Sequence, residues 1–127
     1  MNTLKVIVNK PAAVVFEFCL NPDNTPKWID TIEKEETNEK PSKLGTIYKN
    51  KRYNDPTWTE YKITEFEDGK SFTMSETKGN YRVKYVVTPI NNESSELEYS
   101  EWVDNGEPEN PFTQEVLDKL KDVIEKE

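Results

Sequence analysis

Few side chains in this 127-residue chain can do chemistry. Histidine is absent, which excludes Ser-His-Asp and Cys-His nucleophile systems and every histidine-containing zinc site. The single cysteine, Cys19, makes neither an internal disulfide nor a thiolate cluster. Its neighbours Phe16, Phe18 and Leu20 mark it as a buried, unreactive thiol. The four glycines, at positions 45, 69, 79 and 106, match no phosphate-binding loop. No metal and no cofactor is therefore expected. Tyrosines, carboxylates, lysines and arginines remain. Strand parity puts Tyr48, Tyr61, Tyr85 and Tyr99 on inward faces. Glu101 follows Leu97 and Tyr99 at two-residue steps, and Arg52 shares the face of Tyr48 and Asn50. A carboxylate in an apolar pocket holds its proton more tightly and can give or take one. The plainer reading puts Glu101 at a strand end, in water or paired with a lysine or arginine. Arg52 could orient a carboxylate or enolate oxygen, or lie at the surface. Glu33, Glu35 and Glu36, like Glu93, Glu96 and Glu98, read as solvated strand faces.

The elements that must position these residues follow from period and turn chemistry. Leu4, Val6 and Val8 alternate with Thr3, Lys5 and Ile7, a first strand. Asn9 is placed to cap a helix over about Pro11 to Leu20 that buries Val14, Val15 and Phe18. The turn-rich run from Asn21 to Pro26 leads into a second short helix carrying Trp28 and Ile29. From Ile32 to Val103 six strand-like segments alternate with turns, Asp68-Gly69 being the strongest hairpin signal. Short connections make neighbouring strands antiparallel. The period then changes: Phe112, Val116, Leu117, Leu120, Val123 and Ile124 form one helical stripe starting near Asn110-Pro111. That stripe must be covered, and the sheet is the available surface. The expected inward residues are Tyr48, Tyr61, Ile63, Phe72, Met74, Val83, Tyr85, Val87, Leu97 and Tyr99, with Thr73, Ser75, Arg82, Lys84 and Ser100 facing solvent. An apolar wall carrying several phenols suits a small-molecule cavity better than a dry core, because a buried hydroxyl needs a partner.

Composition agrees with one folded domain over residues 1–127. Mean hydropathy is low, −0.93, but the apolar residues fall in ordered segments, which argues against disorder. A net charge of −8 repels phosphate backbones and argues against nucleic acid. The start of the chain lacks the pattern of a signal peptide and no apolar run is long enough for a membrane span, so a cytoplasmic protein, monomer or homodimer, is expected.

The succession Val8-Asn9-Lys10-Pro11-Ala12-Ala13-Val14-Val15-Phe16-Glu17-Phe18, Asn21-Pro22-Asp23-Asn24-Thr25-Pro26-Lys27-Trp28, Leu44-Gly45-Thr46-Ile47-Tyr48 and Tyr61-Lys62-Ile63-Thr64-Glu65-Phe66-Glu67-Asp68-Gly69, closed by an amphipathic helix, resembles the SRPBCC superfamily of START-like (Bet v 1-like) domains, in its polyketide cyclase/dehydrase-like branch. The resemblance spans essentially the whole chain. It implies the α+β helix-grip fold: a seven-stranded curved antiparallel sheet around a long C-terminal helix, with two short helices between the first and second strands. It implies a pocket for a lipid, polyketide or similar hydrophobic ligand; it does not imply a catalytic set, since members range from carriers to cyclases to co-chaperone-like domains.

Three functions are therefore carried forward. The first is binding of a hydrophobic small molecule between the sheet and the C-terminal helix, lined by Trp28, Tyr48, Tyr61, Ile63, Phe72, Met74, Tyr85, Leu97, Tyr99, Leu117 and Leu120. The second is a cyclase or dehydratase in which pocket tyrosines move protons with Arg52 or Glu101. The third is a protein-interaction domain resembling chaperone activators, which requires a filled core and an exposed apolar patch near Trp58 or Trp102.

Overall fold

Short connections decide most of the topology. The computed structural model describes residues 1–127. It runs β1 (Asn2–Val8), α1 (Ala12–Leu20), a 3-10 turn (Pro22–Asn24), α2 (Thr25–Trp28), β2 (Ile32–Thr37), β3 (Ile47–Arg52), β4 (Trp58–Glu67), β5 (Ser71–Glu76), β6 (Arg82–Asn91), β7 (Ser94–Trp102) and α3 (Gln114–Lys126). From β2 onward each strand pairs with the next in antiparallel fashion. The helices after β1 carry the chain to the opposite edge, so β1 pairs with β7 and the sheet order is β1-β7-β6-β5-β4-β3-β2. Gly69 closes the β4–β5 hairpin at φ +77, where a side chain would be strained. The sheet curls, and with α3 it forms the helix-grip fold expected from the sequence.

Cross-strand register organises the concave face into rows. Phe66, Phe72, Tyr85, Tyr99 and Leu4 oppose one another across β4, β5, β6, β7 and β1. The next row is Ile63, Met74, Val83, Glu101 and Asn2. Rings carry much of the first row: Phe72 and Tyr85 stack at 4.7 Å, and Tyr85 meets Tyr99 edge-on at 5.3 Å. Such pairs contribute about 0.5–1.5 kcal/mol each beyond area burial. Phe16 of α1 closes the row from above, edge-on to Phe66 and Phe72.

The stripe on α3 is fully buried at Leu117, Leu120 and Ile124, and the helix packs along β1 and α2. Its polar face has a second task. β1 is an edge strand, and an uncovered edge invites pairing with another chain. Gln114 Nε2 donates to the Lys5 carbonyl at 3.0 Å, Lys121 Nζ to the Ile7 carbonyl at 2.9 Å, and Glu125 Oε2 accepts from the Asn9 N–H at 2.8 Å. Side chains of α3 thereby occupy the outward backbone groups of β1.

Several local expectations are corrected. Pro11, not Asn9, is the N-cap residue of α1, and no side chain caps this helix. Val14 is exposed, while Phe16 and Leu20 join Val15 and Phe18 inside. The last helix begins at Gln114, and Phe112 lies in the extended segment before it. Thr73 and Ser100, on the outer face, are buried because cross-strand partners cover them: Thr73 Oγ1 donates to Glu65 Oε1 at 2.8 Å, and Ser100 lies 3.2 Å from Thr3 Oγ1.

Candidate functional site

The inward rows do not meet everywhere. Trp28, Tyr99 and Phe112 fill the space between α3 and the sheet, Phe112 stacking on Tyr99 at 5.0 Å and standing edge-on to Trp28 at 5.8 Å. Beyond them, toward β2, β3 and β4, a cavity of about 560 Å³ opens. That volume falls within the roughly 300–1,000 Å³ of small-molecule sites. Its floor is Tyr61, Met74, Val83, Tyr85 and Tyr99; Cys19, Thr25 and Ile29 form one side, and the segment from Val103 to Phe112 forms the roof. No α3 residue borders it, so the expected position between sheet and last helix is corrected to a position beneath the β7–α3 connection.

Of the eleven residues expected to contact a ligand, Tyr61, Met74, Tyr85 and Tyr99 line this cavity. Trp28, Tyr48, Ile63, Phe72, Leu97, Leu117 and Leu120 are packed in the core instead. Tyr48 shows why parity alone misplaces a phenol. Its hydroxyl donates to the Leu20 carbonyl at 2.6 Å and lies 2.7 Å from Ser42 Oγ, so both ends of the side chain are sealed.

The other phenols face the hollow. Burial pushes Tyr61 up to about 12, with the Glu76 carboxylate adding to the shift. Burial also raises Tyr81, Tyr85 and Tyr99, so all four are neutral phenols at physiological pH. Thr37 Oγ1 is the sole buried side-chain polar atom without a hydrogen-bond partner. The Tyr85 hydroxyl has no partner in the protein either, and it is spared that burial because it opens on the cavity. Cys19 borders the same space, and burial pushes its thiol to about 12, which removes it as a nucleophile.

Two carboxyl groups stand out. Glu35, expected on a solvated face, points inward. A bulge between Ile32 and Lys34 shifts the register of β2 against β3, so Ile32 and Glu35 share a face despite their odd spacing. Thr25 Oγ1 donates to Glu35 Oε1 at 2.7 Å and Asn50 Nδ2 to Oε2 at 3.0 Å. The residue borders the cavity, and desolvation raises its pKa above the usual value despite both hydrogen bonds. The folded state therefore binds the Glu35 proton more tightly than the unfolded chain. Its favourable contribution is complete below the unfolded value near 4.5 and is lost as pH rises through the folded value. Glu35→Gln keeps the shape and removes the titration. The melting-temperature difference, variant minus wild type, is expected to grow between about pH 4 and pH 8. A difference that stays flat over that interval would contradict the buried-acid assignment.

Glu101 is fully buried, not at a wet strand end and not paired with a cation. Phe112 N–H donates to its Oε2 at 2.7 Å, Asn2 Nδ2 to Oε2 at 2.9 Å and Tyr81 O–H to Oε1 at 2.8 Å. Asn2 Nδ2 also donates to the Phe112 carbonyl at 2.9 Å. Glu101 thus ties β1, the start of β6 and the roof together and does not border the cavity. Arg52 is exposed at the cavity's rim. Tyr81 was within reach of sequence reasoning, one two-residue step before Val83; Glu35 was not, because a bulge reverses parity. A second hollow of about 540 Å³ on the outer face has a charged lining in which Trp58 is the one hydrophobic residue.

Residues 3–126 match the family model described as polyketide cyclase / dehydrase and lipid transport. The chain belongs to this family. Its structure is similar to a conserved protein of unknown function from Enterococcus faecalis, with TM-score 0.70 and 15% identity over 97% of this chain and 70% of that one. It is similar to the di-domain ARO/CYC StfQ from the steffimycin biosynthetic pathway, with TM-score 0.69 and 13% identity over 99% of this chain and 44% of that one. Norcoclaurine synthase from Thalictrum flavum gives TM-score 0.62 and 18% identity over 98% of this chain and 91% of that one. At these identities the likeness is one of fold. No curated protein sequence matches the chain. No helix is long and apolar enough to cross a membrane.

Proposed function

We propose that this family member binds a hydrophobic small molecule of the lipid or polyketide kind in the cavity beneath the Val103–Phe112 segment. One observation carries the reading: a hollow of about 560 Å³ whose apolar wall of Ile29, Met74, Val83 and Phe112 also presents the unpartnered hydroxyl of the buried Tyr85. Small-molecule sites have this make-up, an apolar wall with a few placed polar groups. The enzyme reading has less support. Glu101 faces the roof and is occupied by three donors, and Arg52 sits at the rim.

Titration with Nile red, a neutral apolar dye, tests the reading. Saturable one-to-one binding is expected, weakened about tenfold or more when Met74→Trp fills the floor. Ile29→Trp fills the opposite wall and serves if the first variant is poorly folded by circular dichroism. Absence of saturable binding to the wild type, or binding untouched by either filled variant, would sink it.

A further inference from the structure

The cavity just assigned as a ligand site is uneven in charge. Glu35, Glu76, Glu107 and Glu109 border it, against the single cation Arg52. Glu107 is neutralised by the terminal amine of Met1 at 3.2 Å, whereas Glu35 has no cation beside it. The nearby lysines are engaged elsewhere on the sheet: Lys51 pairs with Glu33 at 2.6 Å and Lys34 with Glu36 at 4.0 Å. Glu35 receives two hydrogen bonds, one on each oxygen. A carboxylate accepts about four, so each oxygen retains a free lone pair. Close enough to feel its charge, Tyr85 offers a second unused polar atom from a residue 7% exposed. An enclosed acid without a counter-ion, an unpartnered phenolic oxygen that can accept, and the nearby aromatic ring of Tyr61 form a set complementary to an organic cation. They do not complement a carboxylate head group, which would meet Glu35 with like charge and find a cation only at the rim.

Resting on the ligand-site reading above, we infer that the ligand is an amphipathic amine whose protonated nitrogen docks on Glu35 and the Tyr85 hydroxyl, with its apolar body against Ile29, Met74 and Val83. The bound ammonium supplies the charge partner that Glu35 lacks. A neutral polyketide or an alcohol fits the same walls but leaves the acid uncompensated, so head-group charge sets the selectivity.

Three probes of one shape separate the possibilities: 1-naphthylmethylamine, 1-naphthylmethanol and 1-naphthoate, each titrated calorimetrically into the full chain near neutral pH. The amine is expected to bind at least about tenfold tighter than the alcohol, the scale of one charge-assisted hydrogen bond, and the carboxylate weakest. In Glu35→Gln, with folding checked by circular dichroism, the amine-to-alcohol ratio should fall toward unity. A carboxylate that binds as well as the amine, or an amine preference that survives in Glu35→Gln, overturns the inference. If Nile red binds while the amine shows no advantage, the cavity reading stands and the amine assignment alone falls. If neither Nile red nor any probe binds, both fall.

Discussion

Glu101→Leu is expected to lower unfolding stability by about 3–5 kcal/mol, measured by urea denaturation. The substitution is apolar and of suitable size, so lost volume is not the cause. The cost comes from the groups left behind. The Phe112 N–H, the Asn2 amide and the Tyr81 hydroxyl all converge on this carboxyl, inside a site that is 0% exposed. Each stranded donor costs about 1–3 kcal/mol, and the sum is incomplete because neighbours in one network do not add. Against a total of about 5–15 kcal/mol, this loss approaches the limit of folding. Glu101→Gln keeps one acceptor oxygen and turns an amide toward the remaining donors, so it should cost less, about 1–3 kcal/mol. Exchange of the Phe112 amide hydrogen should accelerate in both variants, because Glu101 holds the roof at that point. A leucine variant within 1 kcal/mol of wild type would show that the three hydrogen bonds contribute no net stability.

The second large effect lies in α3. Leu117→Ala and Leu120→Ala should each cost about 2–5 kcal/mol, the transfer energy of the lost methyl groups plus the cavity left in a core with no room to collapse. Both side chains are fully buried, whereas Val116, one residue before Leu117, is half-buried at the edge of the same core. Val116→Ala is the internal control and should cost under about 1.5 kcal/mol. If all three substitutions cost the same, α3 does not dock by the face described here. Because no α3 residue borders the cavity, Nile red affinity in the folded fraction of these variants should stay within about twofold of wild type.

The two networks explain why one carboxylate is structural while another faces the cavity with lone pairs unused. Glu101 spends its acceptors on backbone and side chains from β1, β6 and the roof. Glu35 has a donor on each oxygen and an open side facing the hollow. The two carboxylates thus differ in how many of their lone pairs the fold already uses.

Much of this was readable from residue order. The steps Leu97, Tyr99, Glu101 and Val83, Tyr85, Val87 mark inward faces because side chains alternate along a strand whatever its neighbours. The Asp68-Gly69 turn and the Leu117–Leu120–Ile124 stripe are local for the same reason: a left-handed turn residue and a 3.6-residue period are properties of a few consecutive residues. These signals placed the seven strands, the last helix and most of the core. Parity allowed Glu101 an inward position but did not decide it against a wet strand end, because its partners lie on β1, beside β6 and before α3.

The position of the hollow depended on contacts between residues far apart in the chain. Tyr48 is not in the cavity lining because the Leu20 carbonyl and Ser42 close over its hydroxyl. Trp28 left it because Phe112, displaced from the helix expected to carry it, meets Trp28 and Tyr99 and fills the space under α3. Glu35 entered it because β2 bulges against β3, and a bulge belongs to a pair of strands, not to either alone. Alternation states which way a side chain points. Whether it meets another side chain or empty space is a sum over elements brought together only by folding, and the chemistry of this cavity resides in that sum.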